Sequence, residues 1–142
     1  MKITVYSSNK LKSHFLKLVE DYKERISFHW QIERRYINPS RHDLLIKQIS
    51  VKSLFFILDE KGKIYDNQEL AGIWNQFING GGKEVFLFIG GSYGYNDNWQ
   101  MNHPDNLWSL SKLTFPHMLA EVILFEQLYR TQCLIKNHPY PH

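Results

Sequence analysis

The residues best suited to chemistry in this chain stand in three places. After the apolar run ending at Ile89 comes Gly90-Gly91-Ser92-Tyr93-Gly94, whose glycines permit positive φ and let a ligand approach the main chain closely. Ser92 occupies the place where a G-x-G-x-x-G dinucleotide fingerprint needs its second glycine, so the motif is not that fingerprint, and a tight ligand-free turn explains it about as often. The second place is Leu110-Ser111-Lys112-Leu113-Thr114-Phe115-Pro116-His117. Its apolar side chains could sandwich an adenine ring while backbone groups meet the ring's edges; the alternative is a strand end followed by a proline in the first turn of a helix. The third is the C-terminal stretch with Glu126, Arg130, His138 and Tyr140. On the residues alone, the Glu126–Arg130 pair reads as structural and Tyr140 as an ordinary tail aromatic. Glu126 and Arg130 are four residues apart, the spacing of an ordinary helix ion pair worth about 0.2–0.5 kcal/mol.

The elements that must position these residues follow from periodicity. Lys2 to Ser7 reads as a strand, and Leu11, Phe15, Leu18, Val19, Tyr22 and Ile26 share one helical face. Phe28, Trp30, Ile32 and Tyr36 alternate with polar residues as in a half-buried strand, and Arg34 on the apolar side suggests a strand near an edge. Ser40 with Asp43 predicts a capping box for a short helix through Leu44, Leu45 and Ile49, and Asp66 with Glu69 predicts another ahead of Leu70, Ile73, Trp74, Phe77 and Ile78, stopped by Gly80-Gly81-Gly82. Leu54 to Leu58, Val85 to Ile89 and Leu107 to Leu110 read as buried strands, and Met118 to Ile135 as a long helix with a wide apolar face. This alternation predicts an α/β fold with a mainly parallel sheet, whose ligands bind beyond the carboxyl ends of the strands. The loops after Leu58, Ile89 and Leu110 are therefore the places for a site. The last helix carries Leu119, Val122, Ile123, Leu124, Phe125 and Leu128, more apolar surface than one face needs, which predicts a twofold homodimer through it.

Composition bounds the function. A chain of 142 residues with 43% apolar residues suits one domain, 1–142. The longest apolar runs are far shorter than the roughly 18 residues of a membrane span, and the opening Met1-Lys2-Ile3-Thr4 lacks the apolar core of a secretory signal, so a cytoplasmic location away from membranes is expected. Cys133 is the only cysteine, which excludes an intramolecular disulfide and a cysteine-cluster metal site, and no metal ligand set is expected. Net charge is +3, but residues 1–50 hold ten Lys/Arg against five Asp/Glu, whereas residues 51–142 hold seven against nine. The basic excess of the first third is compatible with a polyanionic partner or with a solvated face.

Four ordered motifs carry a family resemblance: Ile89-Gly90-Gly91-Ser92-x-Gly94, Ser109-x-Ser111-Lys112-x-Thr114-Phe115-Pro116-His117, Glu126-Gln127-x-Tyr129-Arg130 and His138-Pro139-Tyr140. With the opening Met1-Lys2-Ile3 strand, they resemble the bacterial ribosomal RNA large-subunit methyltransferase H family of the SPOUT superfamily over nearly the whole chain. The resemblance implies one SPOUT-type α/β domain with a C-terminal trefoil knot, a homodimer, and S-adenosylmethionine as cofactor. It implies methylation at N3 of a pseudouridine in 23S ribosomal RNA on the assembled ribosome. The cofactor site it implies is Leu58, Gly90, Leu110, Ser111, Lys112, Leu113, Thr114 and Phe115, and the catalytic set is Glu126, Arg130, His138 and Tyr140, in which Glu126 and His138 are candidate bases, Arg130 can stabilise charge on the uracil carbonyls or hold a phosphate, and Tyr140 can stack on an unpaired base. Rules of chain connection alone favour an unknotted doubly wound sheet. His117 stands open between a ligand contact and a helix-start residue.

The chain departs from the family pattern at two points. Glu121 stands where relatives usually have Arg or another residue suited to a polyanion, and Tyr140-Pro141-His142 stands where relatives usually read Tyr-His followed by Lys or Arg. Both changes predict less positive charge near the RNA site. Two other readings remain: a catalytically weak RNA-binding relative, which tolerates loss of cofactor binding, and a nucleotide-dependent oxidoreductase, which lacks its fingerprint here.

Overall fold

The computed structural model describes residues 1–90 and 98–140. Five strands form one sheet in the order β2-β1-β4-β3-β5, every adjacent pair parallel. The strands are β1 (Lys2–Ser7), β2 (Gln31–Tyr36), β3 (Leu54–Ile64), β4 (Glu84–Ile89) and β5 (Leu107–Ser109). The helices are α1 (Ser13–Ile26), α2 (His42–Lys47), α3 (Asn67–Asn79), α4 (Asn98–Asn102) and α5 (His117–Ile135).

Strand alternation distributes the apolar side chains to two cores, as a sheet covered on both faces requires. Ile3, Val5, Phe56, Val85, Leu87, Ile89 and Trp108 pack with Val19 and Ile26 of α1, Leu70 and Trp74 of α3, and Val122, Leu124, Phe125 and Leu128 of α5. Their neighbours in sequence, Tyr6, Phe55, Ile57, Phe86 and Phe88, point to the other face and meet Ile46 of α2, Trp99 of α4 and Leu107. The apolar surplus expected to drive α5 into a partner thus turns inward against α1 and α3. Leu119 stays 38% exposed, whereas Leu124, Phe125 and Leu128 are fully buried.

Helix α3 starts where the sequence places it. Asp66 Oδ1 accepts from Glu69 N at 2.8 Å and Glu69 Oε2 accepts from Asp66 N at 2.8 Å, a complete capping box. Its end is followed by Gly81 at φ 88°, a conformation that favours glycine. The box expected from Ser40 and Asp43 does not form. Asn38 Oδ1 instead accepts from both Ser40 N and Oγ and caps a 3-10 turn, Pro39–Arg41, so α2 begins without a side-chain cap. Two other expectations shift. The second strand starts at Gln31, leaving Phe28 in a turn at 80% exposure, because Ser27, His29 and Trp30 close the end of α1 by bonding back to Lys23 and Ile26. β3 runs to Ile64, six residues past Leu58, and its pairing with β5 jumps from Leu58↔Trp108 to Lys63↔Trp108. A Cβ on Gly62 would stand 2.5 Å from the backbone of Leu107 and Trp108, so only glycine lets β3 lie this close to β5.

The strand near an edge is confirmed: β2 is the outermost strand beside β1. Helix α4 and the 3-10 turn Pro104–Asn106 were not predicted, since Trp99 alone supplies the core contact and no periodicity can show in five residues.

Candidate active site

A cavity of about 570 Å³ opens at the carboxyl ends of β4 and β5 and beside residues 58–61 in the middle of β3, inside the ~300–1,000 Å³ range of small-molecule sites. Leu58, Gly90, Leu110, Ser111, Leu113, Thr114 and Phe115 all line it. Lys112 does not; it is exposed and outside the lining, because the loop turns at Ser111 and carries its neighbour's side chain into solvent. That turn is held by Ser109 Oγ donating to Ser111 O at 2.8 Å and Leu113 N donating to Ser111 Oγ at 3.0 Å. Gly91, Ser92 and Gly94 lie outside the described residues.

Sequence reasoning missed part of the wall. Asp59, Glu60 and Lys61 on the extended half of β3 and Gln100 of α4 line the cavity. Gln100 Nε2 donates to Asp59 Oδ2 at 3.2 Å, and Asp59 Oδ1 accepts from Lys61 N at 2.8 Å, which fixes the carboxylate at the rim. The run Asp59-Glu60-Lys61 was the available signal, since charges directly after a buried strand mark its open end. His117 and Ala120 complete the lining, so His117 is both the first residue of α5 and a cavity residue.

The first turn of α5 is tied to the sheet by a buried ion pair. Glu121 is fully buried, and its Oε1 lies 2.6 Å from Arg34 Nε, itself 12% exposed at the side chain. Ser7 Oγ and Asn9 Nδ2 donate to Glu121 Oε2 at 3.0 and 2.9 Å, Arg34 Nη2 donates to Asn9 O at 2.7 Å, and Asn9 Nδ2 reaches His117 O at 3.2 Å. The expectation that Glu121 removes positive charge from an exposed RNA surface is therefore corrected: the carboxylate faces Arg34 inside the protein. Arg34 breaks the apolar side of β2 because it serves this pair.

Glu126, Arg130 and Tyr140 come together elsewhere. Arg130 Nη2 and Nε donate to Glu126 Oε1 at 2.7 and 3.1 Å, Tyr140 Oη donates to the same oxygen at 3.2 Å, and Gln127 Nε2 donates to Oε2 at 2.8 Å. The Tyr140 ring packs 4.6 Å from that of Tyr129, centroid to centroid. Burial, helped by hydrogen bonding with Tyr22 and the charge of Glu126, pushes the Tyr140 hydroxyl well above its ordinary value, so it stays protonated. His138 is exposed, and its Nδ1 accepts from Tyr140 N at 3.2 Å. None of these four residues lines the cavity. Glu126 lies nine residues along α5 from His117, about 14 Å at 1.5 Å per residue. Pro141 and His142 are outside the described residues.

Among the described residues no cluster of His, Cys, Asp or Glu could hold a metal ion, and no helix is long and apolar enough to cross a membrane. Cys133 is buried, and burial raises its thiol above the ordinary range, so it is an inert core group.

Comparison with known proteins gives a consistent family. The family model described as "Predicted SPOUT methyltransferase" matches residues 1–142. A Solibacter usitatus protein named Ribosomal RNA large subunit methyltransferase H is 39% identical over 141 residues, covering 99% of both chains. The protein of that name from Campylobacter concisus is 32% identical over 156 aligned positions, with 99% of each chain covered. Among solved structures, a candidate RNA methyltransferase from Bacillus anthracis superposes with a TM-score of 0.59 at 14% identity, covering 99% of this chain and 97% of that one. A methylase-family protein from Haemophilus influenzae Rd KW20 gives 0.61 at 8% identity, over 99% of this chain and 70% of the other. At these identities the two structures speak for the fold.

Proposed function

We propose, from the premise that this chain belongs to the SPOUT methyltransferase family, that it transfers a methyl group from S-adenosylmethionine to N3 of a pseudouridine in 23S ribosomal RNA on the assembled ribosome. The observation that carries the reading is the cavity at the strand ends, whose lining includes seven of the eight residues the family pattern assigns to the cofactor. Leu110, Leu113 and Phe115 offer apolar surfaces for adenine, and Gly90 leaves room beside a bent cofactor. Asp59 and Glu60 supply acceptors for ribose hydroxyls or the cofactor's ammonium.

The sulfonium supplies an electrophilic methyl carbon, so the protein's task is to align the acceptor nitrogen and exclude water. Reacting atoms must approach to about 3–3.5 Å, an orientation worth roughly 7–11 kcal/mol. Glu126 and Arg130 lie six and ten residues along α5 from Ala120 of the cavity wall, about 9 and 15 Å at 1.5 Å per residue, and so fall outside that approach within one chain. The site is thus a pairing of the cavity of one copy with the Glu126–Arg130–Tyr140 cluster and tail of another, in a cytoplasmic homodimer of single-domain chains. In that setting Glu126, whose Oε1 already accepts three hydrogen bonds, holds Arg130 and Tyr140 in place, and Arg130 stabilises charge on the uracil carbonyls. His138 is exposed and is the group left to accept the N3 proton, at Nδ1, once that atom releases the Tyr140 N that donates to it at 3.2 Å. We also read a trefoil knot in the C-terminal half. That reading rests on membership of the family.

Calorimetry tests the cofactor site. S-adenosylmethionine should bind once per chain, and Gly90→Val should weaken it at least tenfold by filling the space beside the cofactor; equal affinity in both proteins would remove Gly90 and this cavity from the reading.

A further inference from the structure

We propose that a notch where the C-terminal ends of α1 and α5 meet is a second RNA-contact point, holding one single-stranded nucleotide that flanks the methylated one; this rests on the reading of the chain as a ribosomal RNA methyltransferase. The notch is lined by Arg25, Phe28, His29, Tyr129, Lys136 and His138 among others, and measures about 210 Å³. That is below the roughly 300 Å³ lower bound of sites for whole cofactors, which excludes a second S-adenosylmethionine and leaves room for a base or a phosphate. Its lining carries two permanent cations and two histidines and no carboxylate.

Phe28 is the second observation. The period-two pattern assigns it to a buried strand face, yet it stands in the turn between α1 and β2 at 80% exposure. A ring left in water beside cations is a stacking platform for an unpaired base. The Arg25 guanidinium is carried on two further rings, 5.5 Å from the centroid of Tyr22 and 5.7 Å from that of Tyr129, which fixes it near the notch. Cations at helix C-termini also offset the helix dipoles. Here the carbonyl end of α1 is already occupied: Ile26 O accepts from His29 N and Trp30 N at 3.1 Å and from Gln132 Nε2 at 2.8 Å. At the end of α5, Gln132 O and Cys133 O accept from Lys136 N and His138 N at 2.9 Å, so closing the two helices does not require the charge of Arg25 and Lys136, which stays available for a phosphate. His138 joins the notch to the tail, so a strand held here runs on toward the transfer site.

Phe28→Ala and Lys136→Ala test this on ribosomes lacking the methyl group. Neither side chain belongs to the proposed catalytic set, and Phe28 is too exposed for its loss to open the core. Each substitution should raise KM for the ribosome about tenfold, with kcat, S-adenosylmethionine affinity and the mass by light scattering unchanged. Lys136→Ala should also reduce the slope of log affinity against log salt by about 0.7–0.9, one phosphate's worth. An unchanged KM in both variants would overturn the proposal, and so would a halved mass, which would assign the notch to a second copy of the chain. Absence of transfer by the unaltered protein would overturn the underlying function as well, and is distinguished by that control.

Discussion

His42 shows how far a single side chain can be pushed by its surroundings. It is fully buried at the start of α2, with Nε2 2.9 Å from Ser8 Oγ and its ring against Phe88 and Trp99. Burial, partly opposed by the charge of Asp43, pushes the imidazole down to about 4 from its ordinary 6.5. The folded state therefore prefers the neutral ring, while the unfolded chain takes up a proton below about pH 6.5. The resulting stability is fully present above pH 6.5 and is lost as pH falls from there through 4, amounting to about 3 kcal/mol at most. Urea titrations at pH 7.5 and pH 4.5 should show that decline, and His42→Gln should flatten it; an identical pH dependence in the variant would assign the acid sensitivity to other groups.

At the scale of elements, the link between β2 and α5 decides the shape of the cavity. Glu121→Gln would leave the Arg34 guanidinium buried without its counter-charge, a loss of about 3–5 kcal/mol when a buried pair loses one partner. A lowered urea midpoint at unchanged m value checks this. Because Asn9 of the same network holds His117 O, cofactor affinity should fall too; full stability in the variant would mean that the pair is dispensable. This network also marks the limit of what the residues themselves reveal. Arg34 reads as an interruption of an apolar face and Glu121 as a missing surface cation, and only the fold, which brings α5 back across a sequence separation of 87 residues, makes them partners. Local signals are legible where their cause is local: the Asp66–Glu69 cap, the buried β4 and the glycine stop after α3 all depend on neighbours within a few residues. The Ser40–Asp43 cap fails because Asn38, two residues upstream, competes for the serine. The cavity's loops are legible as strand ends, whereas Asp59, Glu60 and Gln100 enter the wall only through the unusual length of β3 and the unpredicted α4.

The whole molecule holds two chemically different places on one helix. His117 and Ala120, at the start of α5, border the cavity, while Glu126, Arg130 and Tyr140 form a charged and aromatic cluster farther along it. Most apolar residues of α5 are already consumed by α1 and α3, which leaves Leu119 and the partly exposed Ile123, with exposed Leu16 and Leu18 of α1, as the apolar surface that the proposed dimer would use. The most direct test is transfer of labelled methyl groups from S-adenosylmethionine to ribosomes lacking the modification. It compares the unaltered chain with Gly90→Val, a chain lacking residues 138–142, and the two variants co-expressed. The unaltered chain should label N3 of a 23S pseudouridine, either variant alone should give almost no label, and the mixture should restore about a quarter of the sites by random pairing across a twofold dimer. Loss of that recovery alone would place cavity and tail in one chain, and absence of label in large-subunit RNA from the unaltered protein would contradict the central claim.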